Sequence, residues 1–207
     1  MRIPKTWMIA LFITMLTAGL VHAADEKAPE KKDTISSLTH VACNIWYEEE
    51  VISCINYKRG KIIQAGDEIK NLQIGMGEEG LLRGFPLIRF HHVESETDFT
   101  IKFIPDFFPN WDVKDYCKAY FTKKDFDELT KGMTEQEIKG IQEGKLYVGM
   151  SKQAVKTAYG IPPQHRTESM KEDSWVFWTS KLRQKVVYFD EKGRAMREPD
   201  SKDENEI

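Results

Sequence analysis

Between residues 38 and 105 the apolar positions alternate with polar ones in short runs. HVACNIWY (40–47), VISCINYK (51–58), KIIQAGDEIKNLQIG (61–75), FPLIRFHHV (85–93) and TDFTIKFI (97–104) are separated by RG, AGDE, GMGEEG and ESE. Period-two alternation bounded by glycine and acidic turns predicts about five short strands, and no helical stretch interrupts them. A small barrel or curled sheet is the expected architecture. PDFFPNWD (105–112) carries linker prolines but three large aromatics, and reads as a packed junction. In the segment that follows, Val113, Tyr116, Cys117 and Tyr120 fall on one face of a helix, a stripe that suits core packing.

Two similar segments come next, GMTEQEIKGIQEG (132–144) and GMSKQAVKTAYG (149–160). Thr134 and Ser151 are placed as N-caps, whose hydroxyls accept from backbone N–H groups that the first helical turn leaves unpaired. Met133 with Ile138 and Met150 with Val155 have the spacing of a hydrophobic staple, and Glu137 completes a capping box with Thr134. Gly160 suits a left-handed cap, and Pro162-Pro163 forbids continuation. Helices this short are marginal alone, so caps and a packed face must supply what length does not. SWVFW (174–178) and KVVYF (185–189) then read as strands, with Asp190 to Gly193 as hairpin turn and a short AMR run behind it. Both runs are apolar on both faces, so both faces of this sheet are expected to be covered, the second by the N-terminal part.

The ends of the chain change the picture of where it works. MRIPKTWMIALFITMLTAGLVHA has a basic start, an apolar run from Trp7 to about Leu16, and Val21 and Ala23 at a cleavage position, the pattern of a secretory signal peptide over 1–23. The run is shorter than the ~20 residues of a membrane span, and no cysteine follows Ala23, so the reading is periplasmic and not a lipoprotein. Residues 24–37 read as a disordered charged leader and 199–207 as a solvated acidic tail. Loss of Arg2 and Lys5 with the signal peptide takes the 30 basic residues to 28 against 33 acidic, a formal charge of −5. That charge argues against nucleic acid as a partner.

Of the three cysteines, Cys43, Cys54 and Cys117, any one pair is formally able to bridge in an exported protein. A turn at Glu48-Glu49 would set Cys43 opposite Cys54 and favours that bridge, leaving Cys117 as a buried thiol.

A GM[ST]-capped helix, a G-x-P exit, a W-x-[FYW] strand and a V-x-F-D-x-x-G-[RK] strand occur here in that order. The residues are Gly149, Met150, Ser151, Val155, Gly160, Pro162, Trp175, Phe177, Val187, Phe189, Asp190 and Gly193. This pattern, over roughly 132–197, resembles the BamE (SmpA/OmlA) superfamily of bacterial envelope proteins. NYKRGKIIQAGDEIKNL (56–72) is similar to an SH3-like barrel. The resemblance implies an α+β chain: a small SH3-like β-barrel domain over 38–105, a helical junction over 106–131, and a BamE-like domain of two helices on a three-stranded antiparallel sheet over 132–198. It further implies a non-catalytic protein-protein contact in outer-membrane assembly or maintenance, or inhibition of a cell-wall enzyme by a related layout. Members of the envelope branch are lipoproteins, which this chain departs from, and the N-terminal domain is extra.

No HExxH, GxSxG, GxGxxG or P-loop is present, and no cofactor is expected. The rival reading is an envelope hydrolase or metal-dependent enzyme built on His91, His92 or Cys117. His91 and His92 are adjacent and point to opposite faces of a strand, though Glu94, Glu96 and Asp98 lie close in sequence. Cys117 with His165 is the conceivable nucleophile pair. For binding, Tyr57 and Arg59 in YKRGK offer a basic turn for an anionic glycan or lipid head group. His165 and Arg166 in PPQHR, with Trp175 and Trp178, offer a rigid segment with aromatic anchors for an envelope protein.

Overall fold

The computed structural model describes residues 34–196 of the 207-residue chain. The expected signal peptide (1–23), leader residues 24–33 and acidic tail (199–207) lie outside the described residues. Strands β1 (His40–Val41), β2 (Ile45–Tyr47), β3 (Val51–Ser53), β4 (Lys61–Ile63), β5 (Ile69–Met76), β6 (Pro86–His92) and β7 (Thr97–Lys102) come first. They are followed by α1 (Val113–Tyr120), β8 (Phe121–Thr122), α2 (Phe126–Thr130), α3 (Glu135–Glu143) and α4 (Lys152–Tyr159). A hairpin of β9 (Ser174–Ser180) and β10 (Arg183–Phe189) and the short β11 (Ala195–Met196) complete the α+β chain. The described residues belong to one compact unit.

The N-terminal strands do not close into a barrel. Four form a sheet in the order β3-β7-β6-β5, while β2 pairs with β4 and β1 with β8 as separate two-stranded ladders. The hairpin expected around Glu48-Glu49 does not form either. The three glutamates at 48–50 are exposed, β2 runs antiparallel to β4 (Trp46↔Ile62), and β3 joins β7 in parallel (Ile52↔Ile101). Two adjacent glutamates supply none of the positive-φ residues a two-residue turn needs, and each strand finds an apolar partner elsewhere. The leader also ends earlier than expected: Thr34–Ser37 is a 3-10 turn whose Ile35 is buried in the core.

A first core collects Val41, Ile63, Ile88, Phe90 and Phe99 from the strands with Tyr116, Cys117 and Tyr120 of α1, confirming the predicted stripe. Asp112 caps α1 through a capping box with Asp115. A second core holds Ile141, Met150, Val155, Trp175, Phe177, Val187 and Phe189, the helices lying on one face of the antiparallel β11-β10-β9 sheet. The cores exchange residues: Trp46 and Ala65 belong to the second, Ile161 to the first.

The predicted caps are present, and two buried polar residues connect them. Thr134 accepts from Glu137 N and Ser151 from Ala154 N. Glu137 closes its capping box through Oε2, which takes the Thr134 N–H at 2.8 Å, while its Oε1 accepts from the N-cap N–H of α4, Ser151, at 2.8 Å. Arg194 Nη1 approaches the same oxygen at 3.2 Å. Burial pushes this carboxyl up, but the N–H donors of Thr134 and Ser151 outweigh it and hold the group below its usual 4.5. At the other end, the last carbonyls of a helix lack intrahelical partners. Asn44 serves both helices: its N–H donates to Thr157 O of α4 (2.9 Å) and its Nδ2 to Ile141 O of α3 (2.7 Å). Its Oδ1 accepts from Ala65 N (2.8 Å), and its carbonyl accepts from Asn56 Nδ2 (3.0 Å). Asn56 Oδ1 in turn accepts from Trp46 N.

Gly160 has positive φ but ψ of −163°, so α4 ends in an extended turn and not in the expected left-handed cap. A Cβ there would stand 2.7 Å from Asn56 Nδ2 and 3.2 Å from the Tyr120 hydroxyl, so this glycine is needed for close approach as well as for its φ. The left-handed cap belongs to α3, at Gly144. The turn at Asp190 to Gly193 forms as expected, Gly193 N donating to Asp190 O at 2.8 Å.

Asn44→Ala removes two buried side-chain hydrogen bonds and leaves the Ala65 N–H unpaired. It is expected to cost about 2–4 kcal/mol in urea unfolding, against about 0.5 kcal/mol or less for Lys139→Ala on the exposed side of α3. Glu137→Gln is expected to cost about 1–3 kcal/mol at pH 7. Because the folded pKa of Glu137 lies below 4.5, its contribution is complete above that pH and is lost as pH falls through the lower folded value. The wild-type and variant unfolding midpoints should therefore converge in acid.

Candidate interaction surface

Alternation along β9 sends its aromatics to opposite faces. Trp175 goes inward: it is 1% exposed and packs edge-on to Phe189 at 4.7 Å, so it offers no contact surface, contrary to the sequence-based expectation. Trp178 goes outward and is half-buried. The His165 ring stacks on it at 6.0 Å and meets Phe107 edge-on at 4.9 Å, while Arg166 is exposed. Burial, with Arg166 adding to it, lowers the His165 pKa, although its contact with the Phe107 carbonyl works the other way. His165 Nδ1 and Trp178 Nε1 are buried atoms with no hydrogen-bond partner among the described residues.

The outward face continues from Trp178 through Val176, Val186 and Tyr188 to Met196. Strand register sets Val186 opposite Val176 and Met196 opposite Tyr188. Tyr188 is 38% exposed and Met196 41%, with the two valines half-buried. The expected cover over this face is thus incomplete. What the N-terminal part and the chain after α4 cover is the edge of β9, where Lys58 N donates to Trp178 O and Thr167 Oγ1 accepts from Val176 N.

Tyr57 and Arg59 are brought to the same end of the sheet. With Glu48, Ser180, Lys181 and Leu182 they line a cleft of about 330 Å³, and Arg59 pairs with Glu48 at 3.1 Å. Tyr57 is half-buried, and burial raises its pKa. Leu182 at the tip of the β9–β10 hairpin is 93% exposed between Lys181 and Arg183. A neighbouring cleft of 290 Å³ shares Glu48, Tyr57, Arg59 and Lys181 and adds Tyr47 and Val51.

Lys58, between Tyr57 and Arg59, is half-buried and has quite different surroundings. Its ammonium lies 4.5 Å from the Trp46 ring centroid, with Tyr159 and Phe177 at 5.5 and 5.6 Å, and donates to Asn56 O at 2.7 Å. Burial lowers its pKa from 10.5 to about 7. The only hint in the sequence is the adjacency of Lys58 to Asn56 and Tyr57, because the three rings come from β2, α4 and β9.

The residues of the rival enzyme reading are dispersed. Cys43, Cys54 and Cys117 are all fully buried and no disulfide joins them, so the Cys43–Cys54 bridge falls with the hairpin register that motivated it. Burial pushes the Cys43 and Cys54 thiols up to about 12. Cys117 sits in the first core, whereas His165 is engaged with Trp178 and Phe107. His91 and His92 diverge as adjacency requires: His91 Nδ1 meets Asp98 at 2.9 Å, and His92 is buried against Asp67 and Ser95.

Thiols buried in the core, out of a reagent's reach, should resist reaction. A disulfide-exchange reagent at pH 8 is expected to label none of the three cysteines in the folded protein and all three in denaturant, without prior reduction. A count of one in denaturant would instead reveal a bridge.

Compared with protein families, curated proteins and solved structures, the chain matches none of them.

Proposed function

We propose that this chain is a soluble periplasmic protein–protein interaction module, non-catalytic, acting in assembly or maintenance of the bacterial envelope. In this reading its C-terminal part is a BamE-like domain. The observation that carries it is the outward face of the β9–β11 sheet, where Val176, Trp178, Val186, Tyr188 and Met196 form one apolar strip. Monomers rarely leave such a face without a use. An aromatic anchor ringed by polar groups is the usual centre of an interface. The order of two capped helices and three antiparallel strands supports the family resemblance, and the pattern of residues 1–23 supports export. The turn of Tyr57 and exposed Arg59 supplies a peripheral contact for an anionic glycan or lipid head group.

Cell fractionation followed by photo-crosslinking tests this reading. The expected product is a periplasmic protein beginning at residue 24. A crosslinking residue at position 188 or 196 should trap a discrete protein adduct, one at position 70 on the edge strand β5 should not, and Tyr188→Asp should abolish co-purification of the trapped partner. Retention in the cytoplasm, or the same adduct pattern at all three positions, would overturn the proposal.

A further inference from the structure

Two turns of the N-terminal sheet meet around one buried imidazole. Asp67 lies in the turn from β4 to β5, where its Oδ2 accepts from Gln64 N at 2.7 Å. His92 ends β6 and is 5% exposed. Its Nε2 stands 3.0 Å from Asp67 Oδ2 and its Nδ1 2.8 Å from Ser95 Oγ in the β6–β7 turn. Glu94, exposed, lies in the same turn. One donor atom each from Asp67, His92 and Glu94 falls within 4.8 Å of the others. Val93 N donates to Glu68 O at 3.1 Å, so the two turns are also joined through the backbone.

We propose that Asp67, His92 and Glu94 form a binding site for a first-row divalent transition ion, with Zn2+ as its representative, and that Ser95 orients the histidine. Zn2+ bonds of about 2.0–2.2 Å in a tetrahedral arrangement place neighbouring ligand atoms about 3.3–3.6 Å apart. His92 Nε2 and Asp67 Oδ2 stand 3.0 Å apart, so Asp67 has to swing aside from the Nε2 axis for an ion to enter between them. Glu94 is the ligand that has to close, and as an exposed side chain it does so by a change of rotamer.

The partners of the ring suit a metal-ligating histidine. In the metal-free site Nε2 lies within hydrogen-bond reach of Asp67 Oδ2 and Nδ1 within reach of Ser95 Oγ. When the ion takes the Nε2 lone pair, the ring proton resides on Nδ1 and is accepted by Ser95 Oγ, whose own hydrogen turns to solvent. This is the arrangement that metal-bound histidines usually show, with the second nitrogen held by an outer partner. One imidazole with two carboxylates selects against Ca2+ and Mg2+, which favour all-oxygen shells, and water completes the coordination at the open side next to Glu94. His91 takes no part, because its ring pairs with Asp98.

Titration of the full-length mature protein with ZnCl2 by calorimetry provides the test. One equivalent is expected to bind saturably, with no heat from CaCl2 or MgCl2, and Co2+ in place of Zn2+ should give a visible ligand-field spectrum. Glu94→Gln, an exposed substitution that leaves the fold intact, should weaken Zn2+ binding by roughly tenfold or more. Ser95→Ala should weaken it by about 10–100-fold, and His91→Ala should leave it unchanged. Absence of saturable Zn2+ binding, equal affinity in wild type and Glu94→Gln, or loss of binding in His91→Ala would each overturn the assignment.

Discussion

The two short helices of the C-terminal part are held at both ends by side chains that belong to something else. At their N-termini one carboxylate, Glu137, accepts N–H donors from the caps of both α3 and α4. At their C-termini one amide residue, Asn44, supplies N–H donors to a carbonyl of each. Helices of eight and nine residues have too few internal hydrogen bonds to be stable alone, and their orphan end groups cannot be left buried and unpaired. The clamp meets both needs. Since Asn44 lies between β1 and β2, the N-terminal strands are a structural requirement of the helical layer. The exchange of Trp46, Ala65 and Ile161 between cores has the same meaning in apolar terms.

With the inner face of the β9–β11 sheet occupied by this helical layer, the outer face is the one that remains. Trp175 and Trp178 illustrate the division: three residues apart on one strand, one is sealed under α3 and α4 and the other stands beside His165. The hairpin edge nearest the N-terminal strands is bonded to Lys58 and Thr167, which blunts β9 against strand addition and leaves the side-chain face as the surface available for recognition.

Local chemistry in the sequence was legible wherever a feature is decided by neighbours in the chain. The caps at Thr134 and Ser151, the capping box of Glu137, the apolar stripe of α1 and the turn at Asp190–Gly193 are of this kind, and all are present. What failed depended on partners distant in sequence. The register of β2 was set by β4 and not by the adjacent β3, which removed both the closed barrel and the basis for a Cys43–Cys54 bridge. Gly160 is recognisable as a helix end, but its close approach to Tyr120 and Asn56, 40 and 104 positions away, is not. For the same reason the partnership of Asp67 with His92 is hidden in the sequence: they meet across 25 residues, whereas Glu94, Glu96 and Asp98 lie close to His92 along the chain. Period-two patterning identified two apolar faces on β9 and β10 but carried no information on which would be filled.

The enclosure of Lys58 by Trp46, Tyr159 and Phe177 makes the acquisition of tertiary structure a proton-releasing event. An unfolded lysine keeps its proton up to about pH 10.5, whereas this one surrenders it near pH 7 once the rings close around it. By mass action, acidification from alkaline pH down to about 7 therefore drives the chain toward the open state through this group, and further acid adds nothing because both states are then fully protonated. A change of pH between about 7 and 10.5 would act on the union of β2, α4 and β9 through a single amine.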